Sequence, residues 1–187
     1  KMLDFYAMRI GVPYPWDKYA QTVIQDFMYG GMENVSASTL TDQTIHDERA
    51  HLDHSSDGLV AHELAHQWWG NLLSYRDWSH SWLSEGFATY FEILFEEEDR
   101  GRDAAAKSLY DAGRSVISTD VQDMRRPTVT RWYGHPSDLY GSRIYGKGAW
   151  ILDMMKFAMG DELFFNAIRY YARKHAMQPV ETNDFKI

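Results

Sequence analysis

The chain is 187 residues long, 44% hydrophobic and 25% charged, with a formal net charge of −8 and no cysteine. This length and composition fit one folded globular domain and exclude a disordered or fibrous protein. The acidic charge with scattered Lys and Arg disfavours a nucleic-acid partner, and the lack of cysteine excludes disulfides and thiolate metal ligands.

The first third of the chain is predicted to form a small sheet. Alternating apolar residues over positions 19–27 indicate a strand, and a second short strand is predicted over residues 37–40. Gly30 and Gly31 lie between them, and a double glycine after a strand indicates a turn or a place where another backbone approaches closely.

Two helices are predicted next. Residues 55–57 offer N-cap candidates for a helix that runs to residue 69, where Gly70 is a suitable C-terminal glycine. A second helix is predicted over residues 84–100, with Glu85 in its first turn.

The remaining chain is predicted to be mainly helical. Helices are expected over residues 103–118, 144–159 and 161–176, with a long loop over residues 119–142 because that stretch holds two prolines and two glycines. Long ordered loops are often functional, so part of a site is expected there. No apolar run approaches the roughly 20 residues that a membrane-spanning helix needs, so no membrane-spanning helix is expected in this chain. The pattern predicts an α+β fold, with a small mixed sheet near the N-terminus followed by a mainly helical part.

Two histidines on the first of these helices are the strongest chemical signal. His62 and His66 are four residues apart, so their imidazoles share one helix face and can converge on one metal ion. Glu63 lies between them in a His-Glu-x-x-His arrangement, where an uncoordinated carboxylate can act as general base. A lone match of this kind also arises by chance, since histidine pairs on a helix are often surface or core residues.

A third ligand strengthens the assignment. Glu85 follows His66 after 18 intervening residues and opens the next helix, and two antiparallel helices would bring the three side chains together. Two imidazoles and one carboxylate leave a fourth position open, which is typical of catalytic zinc. The other histidines are interpreted as surface or core residues, except that His80, in the connector between the two helices, is a candidate for contact with a metal ligand.

Four sequence blocks carry a more specific pattern. Residues 62–71 read His-Glu-Leu-Ala-His-Gln-Trp-Trp-Gly-Asn, and residues 82–88 read Trp-Leu-Ser-Glu-Gly-Phe-Ala. Residues 30–34, Gly-Gly-Met-Glu-Asn, and residues 145–148, Tyr-Gly-Lys-Gly, complete the set. In this order the blocks resemble the gluzincin zinc aminopeptidases of the aminopeptidase N and leukotriene-hydrolase type, whose motifs include Gly-Ala-Met-Glu-Asn and Tyr-x-Lys-Gly. The resemblance covers essentially the whole chain.

The resemblance implies a fold, a cofactor and a reaction. Residues 1–187 would be the thermolysin-like zinc metallopeptidase catalytic domain of a larger enzyme whose N-terminal β domain and C-terminal helical domain lie outside this chain. One Zn²⁺ per chain would activate the water that attacks the N-terminal peptide bond, with Glu63 as general base. The expected partners are peptides with a free N-terminus and the flanking domains of the same enzyme.

The same resemblance assigns roles to residues outside the metal pattern. Tyr145 would donate a hydrogen bond to the oxyanion of the tetrahedral intermediate, and Glu33 would pair with the α-ammonium of the substrate. Gly30, Gly31 and Met32 would offer backbone groups to the peptide. Without the motifs, a tyrosine at a helix start is more often a packing residue, and Glu33 would be an ordinary turn carboxylate.

Two departures from the family pattern are mild. Gly31 replaces an alanine, and Ser84 replaces the usual asparagine before the ligand Glu85. Neither removes a group that the chemistry needs.

Two other functions fit part of this pattern. A thermolysin-like endopeptidase shares the zinc ligands but has no need of Glu33, so it would cleave an N-acetylated peptide as fast as a free one. A non-catalytic peptide-binding or scaffold domain would keep the fold, but the presence of Glu63, Tyr145 and all three ligands argues against it.

Overall fold

The structure, a computed structural model, describes residues 1–122 and 126–186. In this part of the chain the helices are α1 Met2–Ile10, α2 Asp57–Ala65, α3 Trp82–Arg100, α4 Arg102–Gln122, α5 Gly146–Met159 and α6 Asp161–Lys174. The strands are β1 Ala20–Ile24, β2 Gly31–Met32, β3 Ala37–Thr41, β4 Leu73–Tyr75 and β5 Gln178–Val180. The predicted α+β class, with a small mixed sheet followed by a mainly helical part, is confirmed.

The N-terminal sheet has the strand order β1-β3-β2, with β1 parallel and β2 antiparallel to the central β3. Both predicted strands are present, and the first is shorter than predicted. Ser38 and Leu40 of β3 are buried while their neighbours are half-buried, so this sheet packs one face against the helices. The two residues of β2 form a sheet edge next to α2.

The helix that carries His62 ends earlier than predicted, directly before His66. The sequence pattern predicted a helix to residue 69, but α2 ends at Ala65. The chain then tightens, with the Trp68 amide donating to the Ala65 carbonyl at 3.1 Å and the Gly70 amide donating to the Leu73 carbonyl at 2.8 Å. Trp68 and Trp69 are fully buried, so core packing takes the chain off the helix axis before Gly70. The glycine itself has φ +119°, which other residues rarely adopt.

The later helices agree with the prediction in type and order. α3 begins two residues earlier than predicted and has Glu85 in its first turn. α4 continues to Gln122, into the stretch predicted as a loop, and residues 136–139 of that stretch form a 3-10 turn. Residues 123–125 of the predicted loop lie outside the described residues.

Helix α3 is the centre of the fold. Most of its first fourteen residues are buried, and it packs against α2, α4 and α5. At Gly86 it meets α5 at Gly148 with almost no space, because a Cβ on Gly148 would lie 2.7 Å from the Gly86 Cα. This approach brings the first turn of α3, with Glu85, next to Tyr145 at the start of α5. Among the described residues, no helix has the length and apolar character needed to cross a membrane.

Candidate metal and substrate site

The three predicted metal ligands converge in the structure. The Nε2 atoms of His62 and His66 are 3.1 Å apart, and Glu85 Oε2 lies 3.5 Å from the first and 3.2 Å from the second. Bonds of about 2.1 Å to a tetrahedral zinc place neighbouring donor atoms about 3.4 Å apart. The spacing of these donors therefore fits a zinc ion, and no fourth side chain closes the set among the described residues.

The hydrogen bonds of the two imidazoles favour a cation between them. His66 Nδ1 lies 2.8 Å from the Trp69 carbonyl oxygen, and His62 Nδ1 lies 3.1 Å from Glu92 Oε2. Each Nδ1 therefore carries the hydrogen and donates it, which leaves the two Nε2 lone pairs facing each other at 3.1 Å. A proton or a metal ion between these nitrogens resolves the repulsion.

The charges around the ligands favour the same conclusion. Burial lowers the pKa of His62, but hydrogen bonds to Glu85 and Glu92 raise it to about 10. Burial raises the pKa of Glu85, but the charge of His66 and hydrogen bonds from both histidines lower it to about 2. The site thus holds an anionic carboxylate and stabilises positive charge at the imidazoles.

Glu92 is a candidate site residue to which the sequence pattern did not point. It lies seven residues after Glu85, two turns further along the same face of α3, and its carboxylate accepts the hydrogen bond of His62 Nδ1. The spacing of seven residues from Glu85 could have indicated that Glu92 lies on the same helix face. A carboxylate in this position fixes the tautomer and orientation of a metal-binding histidine.

We expect Glu92→Ala to weaken zinc binding by about 10- to 100-fold, because His62 loses the group that orients it. Competition with a fluorescent chelator measures the affinity, and Glu98→Ala, an exposed carboxylate on the same helix, is the matched control. An affinity equal to that of the control variant would show that Glu92 does not orient the ligand.

Glu63 lies beside the ligands without joining them. Its side chain is 5% exposed, and Oε2 is buried with no hydrogen-bond partner among the described residues. Burial raises the pKa of Glu63 to about 7, against the lowering effect of His66 and His62. The side chain packs on Gly31, where an added Cβ would overlap its carboxylate and come within 2.6 Å of its Cγ. The close neighbour of Gly31 is therefore the Glu63 side chain and not the backbone that the double glycine predicted, and an alanine at position 31 would need another Glu63 rotamer.

Glu33 lies close to the same group of side chains. Carboxylate oxygens of Glu33 and Glu63 and a ring nitrogen of His66 all lie within 4.8 Å of one another. Gly31 and Met32 form the edge strand β2, Gly30 precedes it, and Gly31 lies against the Glu63 side chain, so the predicted peptide-contacting backbone is next to these carboxylates.

Tyr145 lies next to His62 and Glu85. Its ring centroid is 6.0 Å from that of His62, and burial together with the charge of Glu85 raises its pKa. Tyr140, from the stretch predicted as a functional loop, lies behind it with ring centroids 6.3 Å apart. The phenol is thus held protonated, as a hydrogen-bond donor, close to the metal ligands.

The remaining histidines stand apart from the ligands. His80 is buried, but its Nδ1 lies 2.9 Å from Thr182 Oγ1, and this side chain contacts the end of the chain. His46 and His51 share a hydrogen bond of 2.8 Å in the segment before α2. Sequence spacing gave no signal for that pair.

Comparison with known proteins agrees with the geometry. The sequence matches the Peptidase family M1 domain over residues 1–187. It is 32% identical to aminopeptidase M1-C of Oryza sativa subsp. japonica, over 98% of this chain and 22% of the rice protein. It is also 32% identical to endoplasmic reticulum aminopeptidase 2 of Homo sapiens, over 98% of this chain and 20% of that protein. The chain therefore spans about a fifth of the length of these relatives.

Solved structures show the same fold. Yeast LTA4 hydrolase in complex with bestatin superposes with a TM-score of 0.88 and 26% identity, over 98% of this chain and 30% of that one. An M1 zinc metallopeptidase variant from Deinococcus radiodurans, bound to a Tyr-Ser-Ala substrate, superposes with a TM-score of 0.75 and 25% identity, over 98% of this chain and 38% of that one. On sequence, fold and site geometry, this chain belongs to peptidase family M1.

Proposed function

We propose that this chain is the thermolysin-like catalytic domain of a zinc-dependent aminopeptidase, which hydrolyses the first peptide bond of substrates with a free N-terminus. The observation that carries the proposal is the pair of carboxylates, Glu33 and Glu63, within 4.8 Å of the ring nitrogen of His66. One of them can bind a substrate ammonium while the other moves a proton. The aminopeptidase names of the relatives support this reading.

His62, His66 and Glu85 would hold one zinc ion per chain. When bound, zinc supplies a Lewis acid that polarises the scissile carbonyl and lowers the pKa of water toward about 7. The donor set suits this role, since two imidazoles and one carboxylate leave a position open to water or substrate.

Glu63 is the general base in this proposal. Its unpartnered Oε2 takes a proton from the attacking water and then delivers it to the leaving amine. Its position between two ligands on α2 keeps the carboxylate near the scissile bond throughout the reaction. Burial excludes bulk water from competing with that proton transfer.

Tyr145 stabilises the oxyanion in this proposal. Its hydroxyl donates to the carbonyl oxygen as negative charge develops there, and a donor of this kind is typically worth about 10²–10³ in rate. The close packing of α5 on α3 supports the assignment, because it keeps this phenol beside Glu85.

Glu33 sets the exopeptidase specificity. Its carboxylate pairs with the α-ammonium of the substrate, so the first peptide bond is the one that reaches the metal ligands. The edge strand β2 and Gly30 offer backbone groups that can pair with the extended peptide.

We expect Glu33→Ala to lower kcat/KM for a free peptide by about 10- to 100-fold, since a hydrogen bond to a charged group is worth about 1.5–3 kcal/mol. The same peptide with an acetylated N-terminus should be almost unaffected by the substitution. Steady-state kinetics with both peptides measure the difference, with Glu98→Ala as the control.

Two results would contradict the proposal. Hydrolysis of the acetylated peptide as fast as the free one by the unmodified chain would favour an endopeptidase. If Glu33→Ala lowered kcat/KM equally for both peptides, the proposal that Glu33 binds the substrate amine would be contradicted.

A further inference from the structure

We propose that Asn71, assisted by Gln67, is a positioning residue for substrate recognition: it fixes the Glu33 backbone relative to the metal ligands. This inference rests on the proposed amine-binding role of Glu33. Its effect would be to set the distance between the ammonium site and the scissile bond.

The contacts that support this inference run between two segments far apart in sequence. Asn71 Nδ2 donates to the Glu33 carbonyl at 2.7 Å. Gln67 Nε2 lies 3.4 Å from the carbonyl oxygens of both Glu33 and Asn34, and its Oε1 accepts the Ser36 amide at 2.8 Å. Gln67 is fully buried, so these bonds are shielded from water.

Glu33 lies outside the strand pairing of the sheet. The residues that Asn71 and Gln67 contact lie between the end of β2 at Met32 and the start of β3 at Ala37. Ser36 has φ +62°, in the left-handed region, so the chain turns sharply here. Side-chain donors and acceptors therefore take the place of strand pairing for Glu33.

The same two side chains belong to the segment that carries a metal ligand. Gln67 directly follows His66, and the Asn71 amide donates to the His66 carbonyl at 3.1 Å. Asn71 thus links the backbone of His66 to the backbone of Glu33 through its own amide and its side chain. This bridge ties the amine-binding carboxylate to the metal site.

An exopeptidase depends on that link. The ammonium group and the scissile carbonyl of the first residue are a fixed number of bonds apart, so the Glu33 carboxylate must sit at a matching distance from the metal ligands. A misplacement of about 1 Å in such a site can cost on the order of 10²-fold in rate. Loss of the Asn71 donor should therefore reduce the advantage of free peptides over blocked ones.

The test is a double-mutant cycle of Asn71→Leu and Glu33→Ala, read as the ratio of kcat/KM for a free peptide to that for its acetylated form. Leucine keeps the approximate shape of the side chain and removes the donor. We expect Asn71→Leu to lower the ratio by about tenfold, mainly through KM, with zinc content unchanged. In the Glu33→Ala background the same change should have no further effect.

Two further variants and three contradicting outcomes make the result decisive. Asn166→Leu, at an exposed position on α6, should leave the ratio unchanged. Asn71→Asp, which keeps the shape and offers an acceptor only, should reproduce the loss if the leucine variant fails to fold. An unchanged ratio in a folded Asn71 variant, or a full additional loss in the Glu33→Ala background, would overturn the inference while leaving the amine-binding role intact. An unchanged ratio in Glu33→Ala alone would overturn the proposed role of Glu33, and the inference with it.

Discussion

Glu63→Gln is expected to lower kcat by about 10²–10⁴ while leaving zinc bound. The amide has the shape of the carboxylate but cannot accept the proton of the attacking water. His62, His66 and Glu85, which form the donor set, are untouched by the change. The measurement is kcat at saturating peptide, with zinc per chain determined on the same sample.

The control is Glu98→Gln, which makes the same chemical change at an exposed position of α3. It should retain the kcat and zinc content of the unmodified chain. Substantial residual turnover in Glu63→Gln would contradict the assignment of Glu63 as general base. Loss of zinc in that variant would instead make Glu63 a metal ligand.

Gly148→Ala is expected to lower both the thermal stability and kcat. The new Cβ would lie 2.7 Å from the Gly86 Cα, and a backbone atom cannot move aside as a flexible side chain can. Overpacking of this kind typically costs about 1–3 kcal/mol of unfolding free energy. Because the substitution forces α5 away from α3, it also separates Tyr145 from Glu85, and a shift of about 1 Å can reduce the rate on the order of 10²-fold.

Thermal unfolding and kcat together test this expectation. Gly134→Ala is the matched control, since its Cβ would meet only Asp138 Oδ2, at an ordinary 3.4 Å. A Gly148→Ala protein with unchanged thermal midpoint and kcat would contradict the close approach of the two helices.

The parts of the site that could be predicted from sequence depend on local periodicity. His62 and His66 share a face because four residues make about one helical turn, and Glu85 lies in a helical first turn whose start was predicted within two residues. The double glycine marked a crowded position, although the neighbour of Gly31 is the Glu63 side chain and not the backbone that was predicted. Each of these inferences needed only the immediate neighbours in the chain.

The parts that could not be predicted depend on tertiary contacts. The end of α2 at Ala65 follows from the burial of Trp68 and Trp69, which no helical pattern encodes. Helix α1 was missed, and β4 and β5 have three residues each, too few for a periodic signal. The bond from Asn71 to the Glu33 carbonyl joins residues 38 positions apart, so only the folded chain reveals it.

Ser84 illustrates how the structure explains a departure from the family pattern. Its hydroxyl donates to the Trp69 carbonyl at 3.2 Å and lies 3.1 Å from His66 Nδ1. A short polar side chain therefore remains next to the ligand imidazole, where the family usually has asparagine. The environment of His66 keeps its hydrogen bonding in spite of the substitution.

Zinc content per chain tests the central claim most directly. After dialysis against metal-free buffer, elemental analysis should find about one zinc ion in the unmodified chain, as the three-donor set requires. His66→Ala and Glu85→Ala should hold almost none, and His135→Ala, which removes an exposed histidine, should match the unmodified chain. Zinc content that is equal in all four proteins, or absent from the unmodified chain, would contradict the assignment of His62, His66 and Glu85 as the metal site.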